Sequence, residues 1–333
     1  MLSRVKFVER KCTVRRAAVE EMALQADDTR TRRQCPDTLL TDIDAAMPPD
    51  LLRQPVMPLV ALQGMTEMHA ALTKHMPLIR AVDMQQLPAV SAKPRRSTYE
   101  GYQPAGILKK GWLRKHVLES ATAVGALVPW SPEGDVFDAV IERINAARQV
   151  VRRQGVLVVV VVVATGKVPD DVDQRYALLH RQAELDGRQA ALLVSEPDFA
   201  LRLGAERLQH MLMEAAWTYM EGRNKWSRTV LGHLQRPWQM SLVVRHALKL
   251  AFYMEHRDRS AAMKQYTNAY SLLCELAGTV AADKHPELKA VAEVINLKIC
   301  LILLQIVNVA EAQAQLLRHV ATWRLFRGPD GEE

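Results

Sequence analysis

The sequence is poor in aromatic residues: Phe, Trp and Tyr make up 5% of its 333 residues. So few rings argue against an aromatic-lined groove for single-stranded nucleic acid, which stacks its bases on successive side chains. Long apolar runs are missing too. The longest, Val156 to Ala164, has nine residues, whereas a membrane-spanning helix needs about 20. The amino terminus lacks the apolar stretch of a secretory signal, so a cytosolic or peripheral protein is expected, not an integral one. The four cysteines, Cys12, Cys35, Cys274 and Cys300, form no CxxC pair and have no His at metal-ligand spacing. They read as free thiols in a reducing compartment.

The fingerprints of common chemistries are also lacking. Gly166-Lys167 follows the valine run, but the glycine that a phosphate-binding loop needs five residues earlier is Val161, and its Ser/Thr is Val168. There is no GxGxxG (the first turn offers only Gly64), no GxSxG and no HExxH. His69 and His75 share a helical stretch but lie six apart, on different faces, and cannot chelate together. Asp170-Asp171 follows a strand end, where Mg²⁺ carboxylates often lie, yet a helix N-cap beside Pro169 explains the pair more cheaply. These absences leave no catalytic, cofactor-binding or metal residue to assign. The chain is expected not to be an enzyme and to need no cofactor.

What is there is a locally placed positive charge and two kinds of periodicity. The formal net charge is +7, concentrated in residues 1–36 and in Lys93 to His116; the latter holds seven Lys/Arg against one acid. Residues 1–46 are mixed-charge and read as a mobile tail. Residues 47–236 read as an open α/β domain with a mostly parallel sheet. Strands are expected at Met57–Leu62, Leu78–Val82, Thr122–Val128, Val156–Ala164 and Ala190–Val194. Helices are expected from Thr66, as N-cap, to His75, at Asp135–Gln154 and Val172–Asp186, and from Phe199 to Tyr219, continuing after a break at Gly222 towards Leu234. The uninterrupted valines describe a strand covered on both faces.

Within that domain, Lys93–His116 has neither helical nor strand period and reads as a long basic loop. Ile107, Leu108, Trp112 and Leu113 are expected to tuck it onto the body. Lys109, Lys110, Arg114 and Lys115 are expected outside as contacts for an acidic protein surface or an anionic membrane, with a merely solvated strap as the plainer alternative. From Pro237 the pattern turns all-α. Val243, Ala247, Leu250, Ala251 and Met254 share one helical face, and Ala262, Tyr266, Ala269, Tyr270 and Leu273 repeat their offsets. With helices near Glu287–Leu304 and Val309–Phe326, residues 237–328 read as two antiparallel helical pairs, the start of a TPR-like α-solenoid; 329–333 are a tail. The turn Glu255–Arg259 reads as salt-bridged. An exposed apolar edge is expected at Trp323, Leu325 and Phe326, where no polar cap follows.

Several blocks carry a family resemblance. KPRRSTYEGY (Lys93–Tyr102) with PAGILKKGWLRKH (Pro104–His116), VRHALKLAFYMEHRDRSAAMKQYTNAYSLLCEL (Val244–Leu276), ELKAVAEVINLKICLIL (Glu287–Leu303), the histidine of LLRHV (Leu316–Val320) and PPDLLRQPVMPLVALQGM (Pro48–Met65) occur in order and at compatible spacing. Together they resemble the N-terminal portion of the foie gras family of the trafficking protein particle (TRAPP) tethering complex. Residues 1–46 have no counterpart in that family, and Leu297 stands where it usually has an aromatic. Its members are far longer, which implies a truncated chain here. The resemblance implies a non-enzymatic scaffold in endoplasmic reticulum-to-Golgi vesicle transport, with a bearing on autophagy, cytoplasmic and peripheral at Golgi or ER-Golgi intermediate membranes. The implied partners are other TRAPP subunits and, through the complex, a Rab-type GTPase, with no nucleic acid. The alternatives are an unrelated helical-repeat adaptor and an α/β nucleotide-binding enzyme without a fingerprint.

Overall fold

The valine run becomes an interior strand of a parallel sheet in the computed structural model. The structure describes residues 57–88, 102, 104, 106–109, 111–130, 136–151, 155–164, 172–184, 189–195, 198–235 and 238–324. Five strands, β1 (Leu59–Gln63), β2 (Arg80–Asp83), β3 (Ala123–Pro129), β4 (Leu157–Ala164) and β5 (Ala190–Val194), pair in the order β2-β1-β3-β4-β5. All neighbours are parallel. The period of two along β4 divides its valines between two cores. Val159, Val161 and Val163 join Val60 and Leu62 beneath Leu201, Ala205, Leu208 and Leu212 of helix α4 (Asp198–His233). Val158, Val160 and Val162 face Val140, Ile144 and Ala147 of α2 (Val136–Val151) and Leu179 of α3 (Val172–Gln182). Each such side chain is worth about 1.5–3 kcal/mol when fully buried, which is why the run tolerates no polar residue.

After β1 the chain turns into helix α1 (Thr66–Lys74). Gly64 is required there: its φ is +81°, and an added Cβ would stand 2.4 Å from the Leu127 carbonyl oxygen. The N-cap is Met65, in the left-handed region with no side-chain cap; Thr66, expected to cap, is the first helical residue instead. β2 begins at Arg80, two residues later than expected: the Leu78 amide donates to the Gln209 side chain at 2.8 Å, and pairing with β1 starts at Arg80 opposite Leu59.

The expected break at Gly222 does not occur. α4 runs unbroken for 36 residues. Gly222 is exposed with nothing near it, and Ala216, Met220, Ser227 and Val230 bury on either side. An interior helical glycine costs about 1 kcal/mol, which that burial exceeds. Then come α5 (Met240–Met254), α6 (Arg259–Ala277), α7 (His285–Gln305) and α8 (Val309–Arg324). The connections Glu255–Asp258 and Ile306–Asn308 are so short that α6 folds back on α5, and α8 on α7. Asp258 caps α6 by accepting from the Ala261 amide at 2.9 Å. The apolar residues expected on the α5 and α6 faces are all buried or half-buried, and all but Leu250 share one cluster with α7 and α8.

Of the residues expected at an exposed apolar edge, Trp323 is the one described, and it is not exposed. Trp323 is buried, its indole N–H donating to the Tyr270 hydroxyl; the exposed apolar residues on the last helix are Val309, Leu317 and Val320. Residues 1–46, Cys12 and Cys35, Asp170-Asp171, Pro237, Leu325 and Phe326 lie outside the described residues. Cys274 and Cys300 are free thiols.

Candidate interaction surface at the strap

The basic loop is helical at its end, contrary to the irregular reading. Gly111, at φ +69°, opens a turn at Trp112–Arg114 that widens into Lys115–Glu119. The Ser120 amide reaches back five residues to the Lys115 carbonyl at 2.7 Å. Such a short piece leaves no periodicity to read, and its glycines mask it. The apolar residues do tuck in. Ile107 is 2% exposed, Trp112 is buried, and Leu108 and Leu113 are half-buried. The Trp112 ring stands edge-on to Phe252 of α5, with ring centroids 5.1 Å apart, and 4.6 Å from His116.

What holds this strap is a pair of charged clamps from the helical pairs. Arg245, buried on α5, donates from Nε to the Ile107 carbonyl and from a terminal nitrogen to that of Gly106. Glu287, at the start of α7, accepts from the Ile107 amide at 2.7 Å. The carboxylate fits only because residue 106 is glycine, since a Cβ there would come within 2.2 Å of Glu287 Oε1. The strap thus ties the sheet layer to both helical pairs. Val294 and Leu297 of α7 also pack against the sheet-side core.

Of the four cations expected to face partners, Lys109 and Arg114 are exposed, Lys115 is half-buried, and Lys110 lies outside the described residues. Arg114 is already engaged by Glu119 at 2.8 Å. Sequence reasoning missed Arg223 on α4, Arg245 and Lys249 on α5, and Glu287. A signal for the α5 pair existed. Arg245, Lys249, Phe252 and His256 follow offsets of 0, 4, 7 and 11, a second stripe beside the apolar one, and it faces the strap.

Burial sets the electrostatics here. It drops His116 to about 3, with Arg223, Lys249 and Lys115 adding to the effect, so the ring is neutral. It also drops His246 to about 3, with help from Lys249 and Arg245. Lys249 falls to about 7, by burial first and then by Arg245, Arg223 and Lys109. A pocket beside this junction is lined by His116, Thr122, Tyr219, Phe252, Tyr253 and His256, with room for about one water. It opens at the amino ends of β1 and β3, near Leu59 and Thr122. Ligands of open α/β sheets bind at the opposite, carboxyl ends. Among the described residues, no three His, Cys, Asp or Glu side chains could hold a metal, and no helix is long and apolar enough to cross a membrane.

The fold and the strap define a class: a parallel α/β layer clamped to antiparallel helical pairs. No family model matches the chain. It is 30% identical over 239 residues to trafficking protein particle complex subunit 11 of Bos taurus and of Homo sapiens, and 29% identical to that of Gallus gallus. The match takes in 68% of this chain and 21% of the relative, so the chain spans about a fifth of the length of the curated relatives it matches. The resemblance borne by the strap and helix blocks therefore holds: the chain is like trafficking protein particle complex subunit 11 over part of that protein.

Proposed function

We propose that this chain is a non-enzymatic scaffold subunit of a TRAPP-type vesicle-tethering complex, acting in endoplasmic reticulum-to-Golgi transport. It has an α/β domain at 47–236 and the start of an α-solenoid at 237–328. The observation that carries the reading is that the strap Pro104–His116, which bears the resemblance, is also the segment gripped by Arg245 and Glu287. A motif kept for architecture suits a subunit that works by shape. Its partners are other TRAPP subunits and, through the complex, a Rab-type GTPase. Its place is cytoplasmic, peripheral at Golgi and ER-Golgi intermediate membranes, and a role in autophagy goes with it. Lys109, Lys110, Arg114 and Lys115 are its contacts for an acidic protein surface or an anionic membrane, Arg114 being also paired with Glu119.

The test is affinity capture of the whole chain from cytosol. Recovery of small TRAPP subunits in fixed ratio is expected, reduced when Lys109, Lys110 and Lys115 are changed together to Glu. Capture without any TRAPP subunit favours the unrelated-adaptor reading. A nucleotide screen addresses the enzyme reading, since ligand at a hundred times its Kd stabilises by about 2.7 kcal/mol. No nucleotide is expected to shift unfolding.

A further inference from the structure

Four parts of the fold meet at the small pocket beside the strap: the sheet at Leu59, the strap at His116, α4 at Tyr219, and α5 at Tyr253 and His256. The space takes about one water. Three polar atoms on its lining residues, the Tyr253 hydroxyl, His116 Nε2 and His256 Nδ1, are buried and find no hydrogen-bond partner among the described residues. Tyr253 as a whole is 5% exposed. The His116 and Tyr253 rings are neighbours, with centroids 5.8 Å apart, yet hydroxyl and Nε2 do not bond directly. Phe252 stands 6.4 Å from the His116 ring and 6.1 Å from that of His256, so the two imidazoles flank one wall. The Arg223 guanidinium lies beside the Tyr253 hydroxyl without meeting hydrogen-bond geometry, and it can only donate, so the phenolic proton still needs an acceptor. Burial is the main cause that holds His116 and His256 at about 3 and pushes Tyr253 up to about 12, so all three groups are neutral at pH 7. A buried polar atom without a partner is costly, and a bridging water removes that cost.

We propose that this pocket is a binding site for a single internal water molecule, which accepts from the Tyr253 hydroxyl and bridges it to His116 Nε2 and His256 Nδ1. A neutral imidazole nitrogen either donates or accepts, and water has two protons and two lone pairs, so one molecule can satisfy all three. About three hydrogen bonds is the usual complement of an internal water. Arg245 and Glu287 hold the strap at Gly106 and Ile107. The water ties its other end, at His116, to α5. The site stands on the geometry of the junction and not on the trafficking reading, so either can fail alone.

A crystal structure of the whole, unaltered chain, fine enough to resolve ordered solvent, should show one water within hydrogen-bond reach of all three atoms. An empty pocket, or Tyr253, His116 and His256 bonded directly with no solvent between them, would overturn the assignment. Urea unfolding reads the same bridge through stability. Were the hydroxyl an orphan, Tyr253→Phe would remove a buried unpaired group, and the unfolding constant would fall or stay level. With the water in place it should rise about threefold to tenfold. Tyr253 and His256 meet only through the water, so their effects should not add: Tyr253→Phe should cost less in a chain already carrying His256→Leu. Its full cost should return with His256→Asn, whose amide stands near the position of the imidazole Nδ1. If the Leu variant does not fold, the Asn variant and the crystal structure carry the test. Additive effects, or a Tyr253→Phe chain at least as stable as its parent, would contradict the bridge as plainly as an empty pocket.

Discussion

Between α5, α6 and α7 a buried carboxylate meets a buried ammonium, whereas beneath the strap the buried Arg245 guanidinium is met by backbone carbonyls. Glu255, at the end of α5, takes the Lys298 ammonium of α7 at 3.0 Å and the Tyr266 hydroxyl of α6 at 2.7 Å. One carboxylate therefore knits three helices. Further along, the Tyr270 hydroxyl contacts His319 Nδ1 and accepts from Trp323, and Gln315 donates to Asn296. The Glu255–Arg259 turn was expected to be bridged within itself; Glu255 reaches out to Lys298 of α7, Asp258 caps α6, and Arg257 stands 5.7 Å from the Trp217 ring centroid. At the strap, half-buried Lys249 stands 5.5 Å from the Trp112 ring centroid and Arg223 5.9 Å from that of Tyr219. Balanced burial fixes how the helices register with one another. Cations met by backbone carbonyls and ring faces fix instead where the strap lies on the helices.

The largest test of this contrast is Lys298→Met, which leaves Glu255 buried and alone. A loss of about 3–5 kcal/mol in urea unfolding is expected, because breaking a buried pair strands its partner. Adding Glu255→Gln should restore part of it; an additive double variant would contradict the pairing. Next comes acid. His116, His246 and His256 sit at about 3 in the folded chain, burial being the main cause in each. Unfolded histidines titrate near 6.5, so the unfolded chain binds more protons between these values. The stability from these neutral rings is complete above about pH 6.5 and drains away as pH falls towards about 3. A melting midpoint flat from pH 7 to 4 would refute the neutral-ring assignment. The smallest effect belongs to Gly106→Ala. Its Cβ displaces the Glu287 carboxylate from the Ile107 amide, at a cost of about 1–3 kcal/mol, and Glu287→Gln in the same chain should add little more.

Much of this architecture could be read in advance, and the reasons are physical. The valines of β4 and the alanine-tyrosine faces of α5 and α6 bury through long, regular repeats, so periodicity alone locates them. Gly222 misled because propensity is weak against the burial flanking it in α4. Thr66 misled because a left-handed Met65 already turns the chain into α1. The strap's positive charge is visible as composition. Its clamps are not, because Ile107 meets Arg245 and Glu287 across 138 and 180 residues, and no local pattern encodes such a meeting. The Arg245-Lys249-Phe252-His256 stripe was the available clue, overshadowed by the apolar face beside it.

Amide hydrogen exchange at Ile107 tests most directly whether the strap locks the sheet layer to the helical pairs. The bond to Glu287 and the 2% exposure of the residue predict exchange slowed to the rate of the α5–α7 core and released in Arg245→Met. Exchange at the rate of an open loop in the unaltered chain would contradict the account.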